Sequence, residues 1–214
     1  MTEILLWDND GVLVETEPLF FQANAEVLAD LGIEYSLSQF RNISLLQGKS
    51  ALNLAKARGL SDSDILALRE TRDARYAELL RGKDLALPGV RDVLHELSNQ
   101  YRMAVVTSSR ATHFEIIHEH SKLLPYFEFV LTVDNVTQTK PHPEPYLCAL
   151  DKAQLSASAG IAIEDSPRGV TSAKAAGLRC VAVHSELTAA SSLAHADVVI
   201  NRIMDLPVAI VGID

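Results

Sequence analysis

The sequence lacks the features that would replace an ordinary apolar core. Its two cysteines, Cys148 and Cys180, are too few for a disulfide framework and read as buried thiols in a reducing compartment. No apolar run approaches the roughly 20 residues of a membrane-spanning helix, and the start of the chain has no basic segment leading into a long apolar one. A cytoplasmic protein without a membrane partner is expected. Positive charge is also scarce, with 19 Lys+Arg against 28 Asp+Glu and a net charge of −9. That balance argues against a broad face for the nucleic-acid backbone. It leaves room for a local cation cluster that binds a small phosphorylated molecule. There is no internal repeat and no low-complexity tract. The 214 residues are 48% hydrophobic and 22% charged, the composition of a globular chain able to bury a sizeable core.

Short apolar runs recur along this chain at strand length. They are Ile4 to Trp7, Met103 to Val106, Phe127 to Val133, Gly160 to Ile163, Arg179 to Val183 and Asp197 to Ile200. Continuous runs of this kind suit strands covered on both faces, as in a parallel sheet. Helical patterns lie between them, at Pro88 to Leu97, Pro143 to Ala153 and Pro167 to Ala176. The last has Ser166 as its expected N-cap, Pro167 at the first helical position and Gly177 after its end. Alternating strands and helices predict an α/β fold with a doubly wound parallel sheet. One stretch breaks the alternation. Residues 16–85 carry helical patterns and no good strand, with Phe20, Ala23, Val27 and Leu31 forming a first stripe that ends at Gly32. The expectation is therefore an all-helical cap over 16–85, inserted into a core made of 1–15 and 86–214.

In open α/β sheets, ligands bind beyond the C-terminal ends of the strands. The first strand is followed by Asp8, Asp10 and Gly11, and the second by Thr107, Ser108 and Ser109. The strand at Gly160 runs into Glu164 and Asp165, and Lys140 lies in the loop before it. Carboxylates that converge on one point need a cation, and oxygen donors favour a hard one such as Mg²⁺. A lysine and hydroxyl donors beside them suit a phosphoryl group. Singly, each has an ordinary explanation: Asp-Gly makes turns, Thr107 to Ser109 and Glu164–Asp165 cap helices, and lysines sit in solvated loops. Together they would require coincidences at several strand ends.

The segments DNDGVLVETE, VVTSS, KPHPEPY and IEDSPRG, in this order and with a helical insert after the first, resemble the four motifs of the haloacid dehalogenase superfamily. The likeness covers essentially the whole chain and is greatest to the phosphatase and β-phosphoglucomutase-like branch. It implies a Rossmann-like core and roles for particular residues. Asp8 would be the nucleophile, and Asp10 the acid that protonates the leaving oxygen and then the base that activates water. Thr107 and the Ser108 amide would hold the phosphoryl oxygens, and Lys140 would neutralise charge. Asp8, Asp165 and the Asp10 carbonyl would ligate Mg²⁺, helped by Glu164.

Asp10 itself disfavours a dehalogenase, since the hydrolytic dehalogenases of the superfamily lack an aspartate at that place. The sugar mutases of this branch carry a histidine where Phe20 stands and an arginine where Ala51 stands. A phosphatase acting on a small sugar-like or polyol-like phosphate is thus expected, with a phosphomutase as the alternative and a non-catalytic phospho-ligand binder as a weaker one. Within the cap, Lys49 and Arg72 are the polar candidates for touching the substrate. His113, His118 and His120 read as packing or surface residues. Nothing in the sequence demands more than a monomer.

Overall fold

The computed structural model of the chain describes every residue except Glu186, Ala189 and Asp214. Among the described residues there are six strands, β1 (Ile4–Trp7), β2 (Arg102–Val106), β3 (Phe129–Leu131), β4 (Gly160–Glu164), β5 (Arg179–Val183) and β6 (Val198–Ile200). All pair in parallel, in the order β3-β2-β1-β4-β5-β6. The chain divides into two compact units, Thr16–Lys83, and Met1–Glu15 with Asp84–Asp214.

The first unit, Thr16–Lys83, is helical: α1 (Glu17–Ala29), α2 (Leu37–Gln39) and α3 (Asp62–Leu80). Thr16 makes no side-chain cap, while Ser36 and Ser61 each form a reciprocal capping box, with Gln39 and Asp64. The segments expected to be plain α-helix between them are instead a π-helix over Phe40–Leu46 and a 3₁₀-helix over Ala51–Arg58. Gly59, at φ 88°, ends the latter in a left-handed turn that a side chain would strain. Phe21, Tyr35 and Phe40 pack together inside this unit, as do Phe20 and Tyr76.

The second unit holds the sheet and α4 (Val90–Leu97), α5 (Ala111–His118), α6 (Glu144–Ala153), α7 (Pro167–Ala175) and α8 (Leu206–Ile213). β1 and β4 are buried along their whole length, whereas the edge strands β3 and β6 are only partly so. Ile4, Leu6, Ala104, Val106 and Ala162 form one face of the sheet and pack with Tyr146, Leu150, Val170 and Ala173 of α6 and α7. The alternate residues Leu5, Trp7, Met103, Val105, Ile161 and Ile163 are equally buried, so both faces are covered. Each such large side chain contributes about 1.5–3 kcal/mol by leaving water. β3 is shorter than the apolar run that predicted it. Among the described residues it pairs only with β2, and the Asn135 side chain accepts the Thr132 amide at 2.8 Å, turning the chain into a 3₁₀ turn over Val133–Asn135. Among the described residues no helix is long and apolar enough to cross a membrane.

The strand order reverses at β1. The chain runs outward through β2 and β3, then returns to place β4 on the other side of β1. Trp7 is level with Val105 of β2 and Ile163 of β4. The C-terminal end of β1 therefore opens into the crevice between diverging connections, where this class of sheet binds its ligands.

Candidate active site

Asp8 follows the last residue of β1, its amide held by the Ile163 carbonyl at 2.9 Å. Gly11 then adopts φ 80°. Its amide bonds the Val14 carbonyl, and the Asn9 carbonyl accepts the amides of Val12, Leu13 and Val14 at 3.3, 2.8 and 3.2 Å. This compact turn holds Asp10 beside Asp8. It ends where Val14 pairs with Ala86.

Lys140 is buried among the strand ends. Its ammonium lies 2.8 Å from Asp8 Oδ1, 2.6 Å from Glu164 Oε1 and 2.8 Å from the Val106 carbonyl. All its donors thus have acceptors. Arg168 of α7 donates to the Lys140 carbonyl, and the Tyr146 hydroxyl donates to Glu164 Oε1 at 2.6 Å. Burial pulls the Lys140 ammonium down, but Asp8 and Glu164 outweigh it and hold it above its usual value. Burial pushes the Asp8 carboxyl above the ordinary range, against the pull of Lys140 and with Glu164 and Asp10 adding to the rise.

Asp10 is half-buried. Its Oδ2 accepts from Ser109 Oγ at 2.7 Å, from Asn9 Nδ2 at 3.3 Å and, more weakly, from Thr107 Oγ1 at 3.5 Å. The Ser109 amide donates to Thr107 Oγ1 at 3.0 Å, while the Ser108 side chain is exposed. The loop after β2 is thereby tied to the turn after β1.

Asp8, Glu164 and Asp165 are all buried, and each offers a carboxylate oxygen within 4.8 Å of the others. Three buried carboxylates with a single lysine among them form an oxygen-only donor set with surplus negative charge, which fits a small hard divalent cation. A positive ion there would oppose the burial, and the smaller effect of the neighbouring carboxylates, that raise Asp8.

The second unit therefore brings together Asp8, Asp10, Thr107, Ser109, Lys140, Glu164 and Asp165. The cap candidates belong to the helical unit. Lys49 is exposed. Arg72 is held there by Asp73 at 2.8 Å and Asn24 Oδ1 at 3.2 Å, with its guanidinium 4.6 Å over the Phe20 ring. Three contributors escaped the sequence reading. Ser109, one of the hydroxyls after the second strand but without a role of its own in the sequence, holds Asp10. Asn9 stands between the two aspartates with no motif role, and His118, a packing or surface residue by sequence, is buried with its Nε2 2.7 Å from Asn9 Oδ1. A signal for Asn9 existed. An amide side chain between two aspartates, directly after a fully apolar strand, is set among buried groups and must find partners there. Cys180 is buried, but Cys148 only partly.

The sequence profile of haloacid dehalogenase-like hydrolases matches residues 5–183. The chain belongs to that family. Protein CbbY of Rhodobacter capsulatus is 34% identical to this haloacid dehalogenase-like hydrolase over 96% of the chain and 94% of the relative. A phosphorylated carbohydrates phosphatase of Thermotoga maritima is 31% identical over 86% of each. A crystal structure of a CbbY variant from Rhodobacter sphaeroides, in complex with xylulose-(1,5)bisphosphate, superposes with a TM-score of 0.80 at 27% identity, over 96% of each chain. The protein stands on the phosphatase branch of the family, as a phosphoric monoester hydrolase.

Proposed function

We propose that the protein hydrolyses a small phosphorylated metabolite of the sugar or polyol phosphate class, through a phosphoryl group held covalently on Asp8. One observation carries this reading. Lys140 and Glu164 flank Asp8 on one side, and Asp10 on the same turn is bonded to the Thr107–Ser109 loop. A nucleophile, a proton carrier and donors for phosphoryl oxygens thus converge at one strand end. The activities of the sugar-phosphate relatives support the substrate class.

In this reading Asp8 attacks phosphorus while Asp10 donates a proton to the departing ester oxygen. Asp10, now a base, takes a proton from the water that releases phosphate from Asp8. Lys140 orients Asp8 and offsets charge gathering on the phosphoryl oxygens, which Thr107 and the Ser108 amide receive. Asp8, Asp165 and the Asp10 carbonyl would hold Mg²⁺, with Glu164 backing them. When bound, the ion supplies positive charge that screens the phosphoryl group from the carboxylates and polarises it. Residues 16–85 are proposed to act as a cap that chooses among esters, with Lys49 and Arg72 as its candidate contacts. The reading extends to a monomer in the cytoplasm, in keeping with two free cysteines. Sugar phosphomutase activity is the disfavoured alternative. The Phe20 ring, at the place of the mutase histidine, packs edge-on against Tyr76 at 5.2 Å and carries no group to exchange a proton.

Phosphate release from a panel of sugar and polyol phosphates, with and without Mg²⁺, tests the proposal. Mg²⁺-dependent release by the wild type, abolished in Asp8→Asn, is expected. Release that survives Asp8→Asn overturns the covalent route, and activity confined to other esters overturns the substrate class.

A further inference from the structure

We propose that His118 is a positioning residue for Asp10, acting through the side chain of Asn9. The inference rests on the proposed acid–base role of Asp10.

A directional chain of hydrogen bonds links the residues. Asn9 Nδ2 donates to Asp10 Oδ2 at 3.3 Å, so Asn9 Oδ1 faces the other way and must accept. Its partner is His118 Nε2 at 2.7 Å. A ring that donates at Nε2 and stays neutral has to accept at Nδ1, and the Ser121 hydroxyl lies 2.8 Å from that atom. The Ser121 hydroxyl also has the His118 carbonyl as a longer-range acceptor, at 3.4 Å. The Leu123 amide fixes the serine in turn, donating to its Oγ at 3.2 Å. Asn9, His118 and Ser121 are all buried, so water does not compete for these groups. Burial also lowers the His118 pKa to about 4, against an opposing pull from Asp10, which keeps the ring neutral near pH 7.

The arrangement has a chemical consequence. If the Asn9 amide turned over, a carbonyl oxygen would face the Asp10 carboxylate. With its proton on Nε2, His118 offers Asn9 a donor and so favours the orientation in which the Asn9 NH₂ faces Asp10. It therefore fixes both the direction in which Asp10 points and the donor that holds it. A histidine that merely stabilised the fold would affect every substrate alike. One that aims the acid affects only esters whose leaving group needs a proton.

The test compares kcat/KM for a sugar phosphate and for p-nitrophenyl phosphate, at saturating Mg²⁺, in His118→Phe, His118→Gln, Ser121→Ala and Asp10→Asn. Phenylalanine keeps the ring beside Phe114, whose centroid is 4.3 Å away, and removes both nitrogens. It should lower kcat/KM for the sugar phosphate by about tenfold, a part of the 10²–10⁴ that acid–base catalysis contributes. The loss with p-nitrophenyl phosphate, whose leaving group needs little protonation, should be several-fold smaller. Glutamine, which can still donate to Asn9, should recover most of the difference. Ser121→Ala should shift the ratio in the same direction as His118→Phe, and it reads the same quantity should His118→Phe fail to fold. Equal losses on both substrates, or no loss on the sugar phosphate in folded protein, overturn the proposal. Asp10→Asn separates the two levels. If it splits the substrates and the His118 and Ser121 variants do not, only this inference falls. If it affects both substrates alike, the acid role of Asp10 falls and the inference with it.

Discussion

Gly11 lies so close to Asp165 that a Cβ on it would stand 2.0 Å from Asp165 Oδ2 and 2.5 Å from Cγ. Asp165 is 2% exposed, so its short side chain has little space into which to withdraw. Gly11 also holds φ 80°, where any L side chain is strained. Gly11→Ala should therefore push a proposed metal ligand out of place and cost about 1–3 kcal/mol in backbone strain. A rise in the Mg²⁺ concentration needed for half activity, together with a lower Tm, is expected. Unchanged Mg²⁺ dependence would show that Asp165 does not serve the ion.

Lys140→Met should be costly to folding as well as to catalysis. Removing the ammonium leaves Asp8 and Glu164 buried without their shared cation, and breaking a buried ion pair on one side costs about 3–5 kcal/mol. Denaturant unfolding measures the loss. A variant as stable as wild type would mean that the carboxylates hold a proton or another cation in its place.

Chelation of divalent metal should remove activity, and Ca²⁺ should restore it poorly. Asp8, Glu164 and Asp165 offer oxygens within 4.8 Å of one another, a compact set for an ion that prefers more ligands and longer bonds. Full turnover in excess chelator would remove the ion from the mechanism.

Acidification should weaken the fold partly through His118. In the unfolded chain this histidine takes up its proton near pH 6.5, whereas burial in the fold lowers that value to about 4. Between these values the unfolded state binds the extra proton, so stability falls as pH falls. Comparing wild type with His118→Gln isolates the contribution. The wild type should lose more stability between pH 7 and 4, by on the order of 3 kcal/mol. Parallel curves would place the titration of His118 elsewhere.

The two cap cations should respond differently to alanine. Arg72 is held by Asp73 and Asn24 and lies over Phe20, so Arg72→Ala should lower stability whatever its part in specificity. Lys49 is exposed, and Lys49→Ala should leave Tm within experimental error. If either reads the substrate, kcat/KM for the preferred sugar or polyol phosphate should fall well beyond that for p-nitrophenyl phosphate. Equal effects on both substrates would assign specificity to other residues.

Much of this protein is legible in one dimension. The continuous apolar runs announce buried parallel strands because such strands are covered on both faces. Ser166, Pro167 and Gly177 mark the ends of α7 because helix termini have unpaired groups that particular residues satisfy, and Ser166 Oγ does accept the Gly169 amide at 3.0 Å. Asp8, Asp10 and Asp165 stand out because charge placed at the end of a buried strand is costly without a purpose, and Lys140 stands out only as a cation in a loop beside them. What the chain alone does not reveal is the set of partners that these groups acquire. Lys140 lies between Asp8 and Glu164, Tyr146 donates to Glu164, and Ser109 holds Asp10. His118 reaches Asn9 across 109 residues of sequence. Periodicity and capping are local and leave a local trace. A hydrogen bond between distant segments depends on strand order and helix packing, so His118 reads as one more histidine on a helix until the fold brings it to the turn after β1.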